Sequence, residues 1–299
     1  MLSVFILSMG YGLPAQSHQF HQPIVYTSLG LIKGNDTLQT ILGKTIYSFR
    51  GIRYAKAPIG DLRFRPPQPV ESWEGIYDAS QDGAACPQPY TNDTDEDCLF
   101  LNVYTTQMPT EHRNLNLPVL VYIHGGSYTM FSARSNLLGP DYLLDQDMVL
   151  VTLNYRLASL GFISTGDEFA PGNNGLKDQV TALKWVKQNI AHFGGNPNSV
   201  TLSGHSAGAL SVSLHLVSPM SRGLFHKAVM MSGSIMGNYP VLSHQFDLAQ
   251  KQARFVNCPD RNSEEIIECL KTKSATEIAN TLDEFNTERC ASHGTRIIT

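Results

Sequence analysis

The apolar pattern of this chain changes character twice. Residues 24–50 carry short β-type segments, Ile24-Val25-Tyr26, Leu31-Ile32, Ile41-Leu42 and Thr45-Ile46-Tyr47-Ser48-Phe49, separated by glycine-containing turns. Such segments predict a small antiparallel N-terminal sheet. Residues 49–67 are rich in Pro and Arg and have no helical period, which predicts a structured surface loop. Glu96-Asp97-Cys98-Leu99-Phe100-Leu101-Asn102-Val103-Tyr104 then reads as a loop returning into a strand.

The middle of the chain is built differently. Pro118-Val119-Leu120-Val121-Tyr122-Ile123-His124, Met148-Val149-Leu150-Val151-Thr152-Leu153 and Lys227-Ala228-Val229-Met230-Met231-Ser232-Gly233-Ser234 are near-continuous apolar runs. That is the pattern of strands buried on both faces of a mostly parallel sheet. Between them, residues 175–193 place Leu176, Val180, Leu183, Val186, Ile190 and Phe193 at steps of three and four, one helical stripe that Gly194-Gly195 stops. Strand and helix in alternation predict an α/β fold, a doubly wound, mostly parallel central sheet accompanied by the small antiparallel one. After residue 234 the pattern turns helical: 246–256, 264–271 and 275–285, the last two opened by Asn262-Ser263 and Ser274. Residues 286–299 have neither period, and no linker divides the chain, so 24–285 reads as one domain.

One stretch organises the rest. Ser199-Val200-Thr201-Leu202-Ser203 is a short β-type strand that runs into Gly204-His205-Ser206-Ala207-Gly208 and then into a helix over 207–217. A serine on a tight strand-to-helix turn is held in a strained conformation with its hydroxyl projecting from the sheet, and glycines two before and two after remove obstructing Cβ atoms. The helix N-terminus directs free N–H groups and its positive dipole end to the same spot, where an oxyanion would form. Ser206 is therefore the candidate nucleophile; the competing reading is a turn serine that caps a helix. His124-Gly125-Gly126-Ser127, a glycine-rich turn at the C-terminal end of a buried strand, lies where α/β sheets place their sites.

Composition narrows the field. Of 299 residues, 42% are hydrophobic and 16% charged, which suits a globular protein with a sizeable core. A formal charge of −4 and the absence of any Lys/Arg-rich run argue against nucleic acid as a partner. No apolar run is long enough to span a bilayer. Residues 1–15 resemble the apolar core and small-residue end of a signal peptide, but the first basic residue is Lys33, so a poor or incomplete signal and a buried strand remain open readings. Secretion agrees with two acceptor sequons, Asn35-Asp36-Thr37 and Asn92-Asp93-Thr94. It agrees also with the cysteines: Cys86 and Cys98, then Cys258 and Cys269, form close pairs with 11 and 10 intervening residues, leaving Cys290 over. Two local disulfide loops are the reading; metal ligation competes, but without Cys-x-x-Cys spacing or a nearby His cluster no metal is expected.

Together, Phe49-Arg50-Gly51-Ile52-Arg53-Tyr54-Ala55, Glu96-Asp97-Cys98-Leu99-Phe100-Leu101-Asn102-Val103, His124-Gly125-Gly126-Ser127, Asn154-Tyr155-Arg156-Leu157, Gly172-Asn173-Asn174-Gly175-Leu176-Lys177-Asp178-Gln179 and Gly204-His205-Ser206-Ala207-Gly208 are highly specific. Over residues 24–285 the chain resembles the carboxylesterase type B (cholinesterase-like) family of α/β-hydrolases, most of all its insect carboxylesterases. The resemblance implies an α/β-hydrolase fold, Ser206 as nucleophile, and an oxyanion hole made by the backbone N–H groups of Gly126, Ser127 and Ala207. It implies disulfides Cys86–Cys98 and Cys258–Cys269. It also implies acyl transfer from a small-molecule carboxylic ester through a covalent acyl-enzyme, with no cofactor.

The sequence departs from the family in four places. His205 stands where cholinesterases usually carry Glu. The Cys86–Cys98 loop is short and lacks the Trp that holds a quaternary ammonium in cholinesterases. Ser127 replaces a third Gly, a mild change because only its N–H is needed. Lastly, the triad order is Ser, acid, His, and in this family the acid lies more than about a hundred residues beyond the nucleophile and the His about another hundred further. Ser206 lies 93 residues before Thr299, so the expectation is a C-terminally truncated domain without acid or base, followed by a divergent tail at 286–299. Asp283 or Glu284 with His293 are conceivable stand-ins at the wrong spacing, and His205, His215, His226 and His244 read as core, helix-surface or loop residues. The expected function is a secreted carboxylic-ester hydrolase by descent, weak or inactive as this chain. Its rivals are a catalytically silent ester-binding or decoy protein and a lipase of the same fold.

Overall fold

In the computed structural model the described residues are 22–110, 113–236 and 245–285. The expectations placed on 1–15 and 286–299, and on His244, Cys290 and His293, lie outside them.

The larger sheet has seven strands. Its inner strands are the apolar runs: β7 (Leu117–Ile123), β8 (Val149–Leu153) and β9 (Gly195–His205), paired in parallel in the order β9-β7-β8. β6 (Phe100–Thr105), β4 (Thr45–Arg53) and β3 (Asn35–Gln39) continue the sheet beyond β8 in antiparallel pairings, and β10 (Lys227–Met231) closes the other side parallel to β9. Within this sheet, parallel pairing is thus confined to the half that carries the candidate nucleophile.

The N-terminal region differs from its expected form. β1 (Ile24–Thr27) and β2 (Gly30–Lys33) make an antiparallel hairpin, but β5 (Ile76–Asp78) joins β2 in parallel, so this small sheet is mixed. The 45–49 segment belongs to the large sheet, because Ile46, Phe49 and Ile52 of β4 are fully buried and need cover on both faces. β4 also runs to Arg53, which takes 49–53 out of the expected loop. Ile41 and Leu42 are no strand; they sit in a turn closed by Gly43 N–H to Thr40 O (3.0 Å), and are 58% and 75% exposed.

The helices follow the predicted stripes closely. α1 (Ala158–Phe162) is short; α2 (Asn174–Asn189) continues as a 3₁₀ turn to Phe193. Its Val180, Leu183 and Val186 pack into the core with Val121, Val151 and Leu202 of the sheet. α3 (Ala207–Val217) packs on β9, β10 and β7. α4 (Gln245–Phe255), α5 (Ser263–Thr272) and α6 (Ala275–Asn280) build a second core with Phe64, Leu160 and Ile163. α6 stops five residues before the predicted end, at Asn280, and a separate helical turn follows. The Asn262 and Ser274 side chains accept from the N–H groups of Glu265 and Glu277, the caps their positions predict.

Two ion pairs brace α2 and α5 against the loops that precede them. The Arg156 guanidinium and backbone N–H together make three bonds to the fully buried Asp178 carboxylate, at 2.7–3.0 Å. Arg63 grips Glu96 and also donates to the carbonyls of Leu270, Lys271 and Lys273, where α5 ends. Removing one partner of such a pair leaves a buried charge unpaired, which costs about 3–5 kcal/mol.

Candidate active site

The site forms where β7 and β9 end. Ser206 follows directly on β9 and is the residue before α3, with φ 54° and ψ −119°, a strained conformation for a residue with a Cβ. What holds it there is tightly packed backbone. The Ser206 N–H donates to Met231 O at the end of β10 (2.8 Å), and its carbonyl accepts from Leu210 N–H (3.0 Å). A Cβ on Gly204 would lie 2.4 Å from the Gly208 carbonyl, and one on Gly208 would lie 2.1 Å from Ile123 O. Only glycines allow the start of α3 to close down on β9 and β7 in this way.

The glycine-rich turn meets the nucleophile from the other side. A Cβ on Gly125 would come within 3.2 Å of Ser206 Cβ, so the turn and the serine are in direct contact. Gly126, Ser127 and Tyr128 all have positive φ, which turns the chain sharply. The Gly126 and Ser127 N–H groups donate to no acceptor among the described residues. Ala207 N–H is at the first position of α3, where no intrahelical acceptor exists. The structure thus leaves all three expected oxyanion donors without an acceptor on the two segments that flank Ser206.

His124, at the foot of the same turn, is 1% exposed and stacks on Tyr155 with ring centroids 4.4 Å apart. Its Nδ1 lies 2.8 Å from Gly125 O. A carbonyl can only accept, so this nitrogen carries the proton. Burial pushes the imidazole pKa down to about 4, against a smaller upward pull from the Gly125 carbonyl. His124 is therefore a neutral structural support for the turn, a residue that sequence reasoning noted only as part of a motif.

No hydrogen bond joins the Ser206 hydroxyl to any described side chain, and none of the described histidines is bonded to a carboxylate. His205 is exposed, His226 accepts from Val200 N–H (3.2 Å), and His215 is buried in α3. Asp283, considered as a stand-in acid, accepts from the Tyr90 hydroxyl. A cavity of about 210 Å³ opens beside the loop, between α1, α4 and α6, lined by Thr129, Phe162, Ile163, Leu248, Ile278 and Phe285.

The remaining predicted residues are placed as follows. Cys86–Cys98 and Cys258–Cys269 are both disulfide-bonded. Asn92 lies exposed in a loop. Asn35 is half-buried in β3 and its side chain is engaged at both ends: Nδ2 donates to Ser80 O (3.0 Å), and Oδ1 accepts from Ser48 Oγ (2.7 Å). Among the described residues no cluster of His, Cys, Asp and Glu is arranged to hold a metal ion, and no helix is long and apolar enough to cross a membrane.

Comparison with known proteins gives one answer. The model of the carboxylesterase family matches residues 21–296, reaching into the 286–299 stretch. Esterase FE4 of Myzus persicae is 49% identical over 253 residues, 82% of this chain and 44% of that protein. Juvenile hormone esterase of Tribolium castaneum is 43% identical over 273 residues, 88% of this chain and 46% of its own length. Among solved structures, juvenile hormone esterase from Manduca sexta, with OTFP covalently attached, superposes with a TM-score of 0.81 at 35% identity, covering 90% of this chain and 52% of that one. The chain spans about half the length of the curated relatives it matches. The chain belongs to the carboxylesterase family.

Proposed function

We propose that this chain carries the acyl-transfer half of a serine carboxylic-ester hydrolase. The observation that supports this best is Ser206 itself, held at φ 54° between a turn and a helix whose N–H groups have no other acceptor. In this reading Ser206 Oγ attacks the ester carbonyl carbon and the C=O π pair moves onto oxygen. The N–H groups of Gly126, Ser127 and Ala207 bind that oxyanion, and collapse expels the alcohol and leaves an acyl-serine that water cleaves. The proton of Ser206 needs an acceptor, and no described residue stands in that place. Without such an acceptor turnover would be slow, since removing a triad member costs several orders of magnitude in rate.

The substrate is a small carboxylic ester with an apolar group. The cavity bounded by Thr129, two residues beyond Ser127, offers that group an apolar recess. Two disulfides and the exposed Asn92 sequon support an oxidising, secretory route, with Asn92 as the glycan acceptor; the Asn35 amide is already committed to Ser80 and Ser48.

Phenylboronic acid tests the reading, because boron adds to a serine hydroxyl as a tetrahedral anion at equilibrium, with the released proton passing to the buffer, so the adduct draws on the nucleophile and the oxyanion donors. The expected result is a tetrahedral boron resonance that Ser206→Ala abolishes, with p-nitrophenyl acetate turnover no faster than in Ser206→Ala. An unchanged boron spectrum in the parent protein sinks the nucleophile assignment; turnover at the rate of a complete esterase sinks the missing base.

A further inference from the structure

The oxyanion loop holds three successive residues in the left-handed region: Gly126 at φ 94°, Ser127 at 55° and Tyr128 at 62°. Two of them carry side chains, and such strain persists only where the surroundings over-determine it. Backbone bonds supply part of the restraint. Thr129 and Met130 N–H both donate to Gly126 O (2.9 and 3.1 Å), and Ala158 N–H donates to Tyr128 O (2.7 Å).

The rest comes from the Tyr128 side chain. Its ring packs on Phe162, centroids 5.0 Å apart, and its hydroxyl lies 3.2 Å from Ser211 Oγ on α3. Ser211 is the end of a buried chain of side chains. Gln179 Nε2 on α2 donates to Ser211 Oγ (3.2 Å), His215 Nε2 is 2.8 Å from Gln179 Oε1, and His215 Nδ1 is 2.8 Å from Ser221 Oγ. Gln179 and Ser211 are fully buried, Ser221 and His215 nearly so.

Donor chemistry gives this chain one direction. An amide oxygen only accepts, so His215 carries its proton on Nε2, and Nδ1 must accept the Ser221 hydroxyl proton. The Gln179 amide nitrogen then faces Ser211. Ser211 Oγ accepts that N–H, and its hydroxyl donates to the Tyr128 hydroxyl oxygen. Hydrogen bonds thus run from Ser221 through His215, Gln179 and Ser211 to Tyr128 without a conflict, and burial keeps His215 neutral by pushing its pKa down to about 4.

We propose that Tyr128 is a positioning residue of the oxyanion loop, anchored by Ser211 through this one-way chain. The anchor's location gives it a purpose beyond packing. Ser211 sits on the helix whose first N–H, that of Ala207, is the third oxyanion donor. The Tyr128–Ser211 bond therefore ties the loop donors and the helix donor into one rigid body. This inference rests on the reading of Gly126, Ser127 and Ala207 as oxyanion donors.

Amide hydrogen exchange on the 299-residue chain tests it without any need for turnover. Tyr128→Phe and Ser211→Ala should each speed exchange at Thr129, Met130 and Ala158 about tenfold or more, with β8 amides unchanged. The double variant should add nothing to the larger single effect, and Ser211→Thr, which keeps the hydroxyl, should behave as the parent. Phenylboronic acid should bind both single variants more weakly. Tyr128→Phe keeps the ring and the fold, so loop amides that exchange in it at the parental rate overturn the proposal, as does an additive double variant. If the parent binds no boronate, the Ser206 reading fails while the exchange data still decide whether Tyr128 is anchored as described.

Discussion

Two five-residue strands of the same sheet, each four-fifths apolar, have opposite fates. All five residues of β8, Val149-Leu150-Val151-Thr152-Leu153, are buried. In β10, Lys227-Ala228-Val229-Met230-Met231, only Ala228 is partly buried, and Val229, Met230 and Met231 are 45%, 42% and 39% exposed. β8 lies between β7 and β6; β10 is a sheet edge, with no partner on its outer side among the described residues. The expectation that β10 is buried therefore fails, for a physical reason. Apolarity records what a strand is suited to lie against, and only the surrounding chain decides whether anything lies there. The site draws on both strands' surroundings: its glycine turn stands on the covered half, while the Ser206 N–H is clamped by Met231 O of the exposed edge.

A charge placed in each strand should separate them most sharply. Val151→Asp puts a carboxylate at a fully buried position, and a loss of more than about 4 kcal/mol is expected, enough to prevent folding at ordinary temperature. Urea unfolding followed by circular dichroism measures it. A Val151→Asp protein that unfolds at the parental urea midpoint would mean that the covered half is not the core described here.

A second effect comes from pH. His124 at the end of β7 and His215 in α3 are both buried, and burial lowers both pKa values to about 4. In the unfolded chain each takes a proton near pH 6.5; in the fold neither does until about pH 4. Between those values the unfolded state holds more protons, so stability is constant above about pH 6.5 and falls as the pH drops towards 4. Each histidine contributes a slope of about 1.4 kcal/mol per pH unit across that window. Urea midpoints at pH 7, 6 and 5 should fall in step, and His215→Gln should make the fall shallower. A flat midpoint from pH 7 to 5 would show that neither imidazole is kept neutral by the fold.

The contrast also explains what was legible beforehand. The bounds of α3, 207–217, and the strand-turn-helix setting of Ser206 followed from local pattern and came out unchanged. Local pattern also misled: Ile41-Leu42 has the residue types of a strand but sits in an exposed turn, and three-residue β5 was too short to stand out. The Tyr128–Ser211 and Gln179–His215 bonds join residues 83 and 36 positions apart, and no spacing rule links a loop tyrosine to a helix serine. Likewise the two sequons look equivalent as text; only the fold shows that Asn35 spends its amide on Ser80 and Ser48. Residue type and short-range period carry the elements and the turn that holds Ser206. Long-range hydrogen bonds and strand cover need the third dimension.

The last expectation takes the other arm of the comparison, with the smallest effect on stability. Val229→Lys places a charge on the exposed edge, next to Lys227 and with water in reach, so the urea midpoint should move by no more than about 0.5 kcal/mol. Its effect should show in association instead. An unpaired apolar edge is a template for pairing with another chain, and a lysine there is the usual block. Light scattering at matched concentration should therefore report smaller particles for Val229→Lys than for the parent, at the same midpoint. The two readouts answer different questions: a large midpoint loss would mean that Val229 is covered, and unchanged scattering would mean that the edge is not where copies meet. Together with Val151→Asp they ask whether two largely apolar strands differ in what covers them, which the run of apolar residues alone does not distinguish.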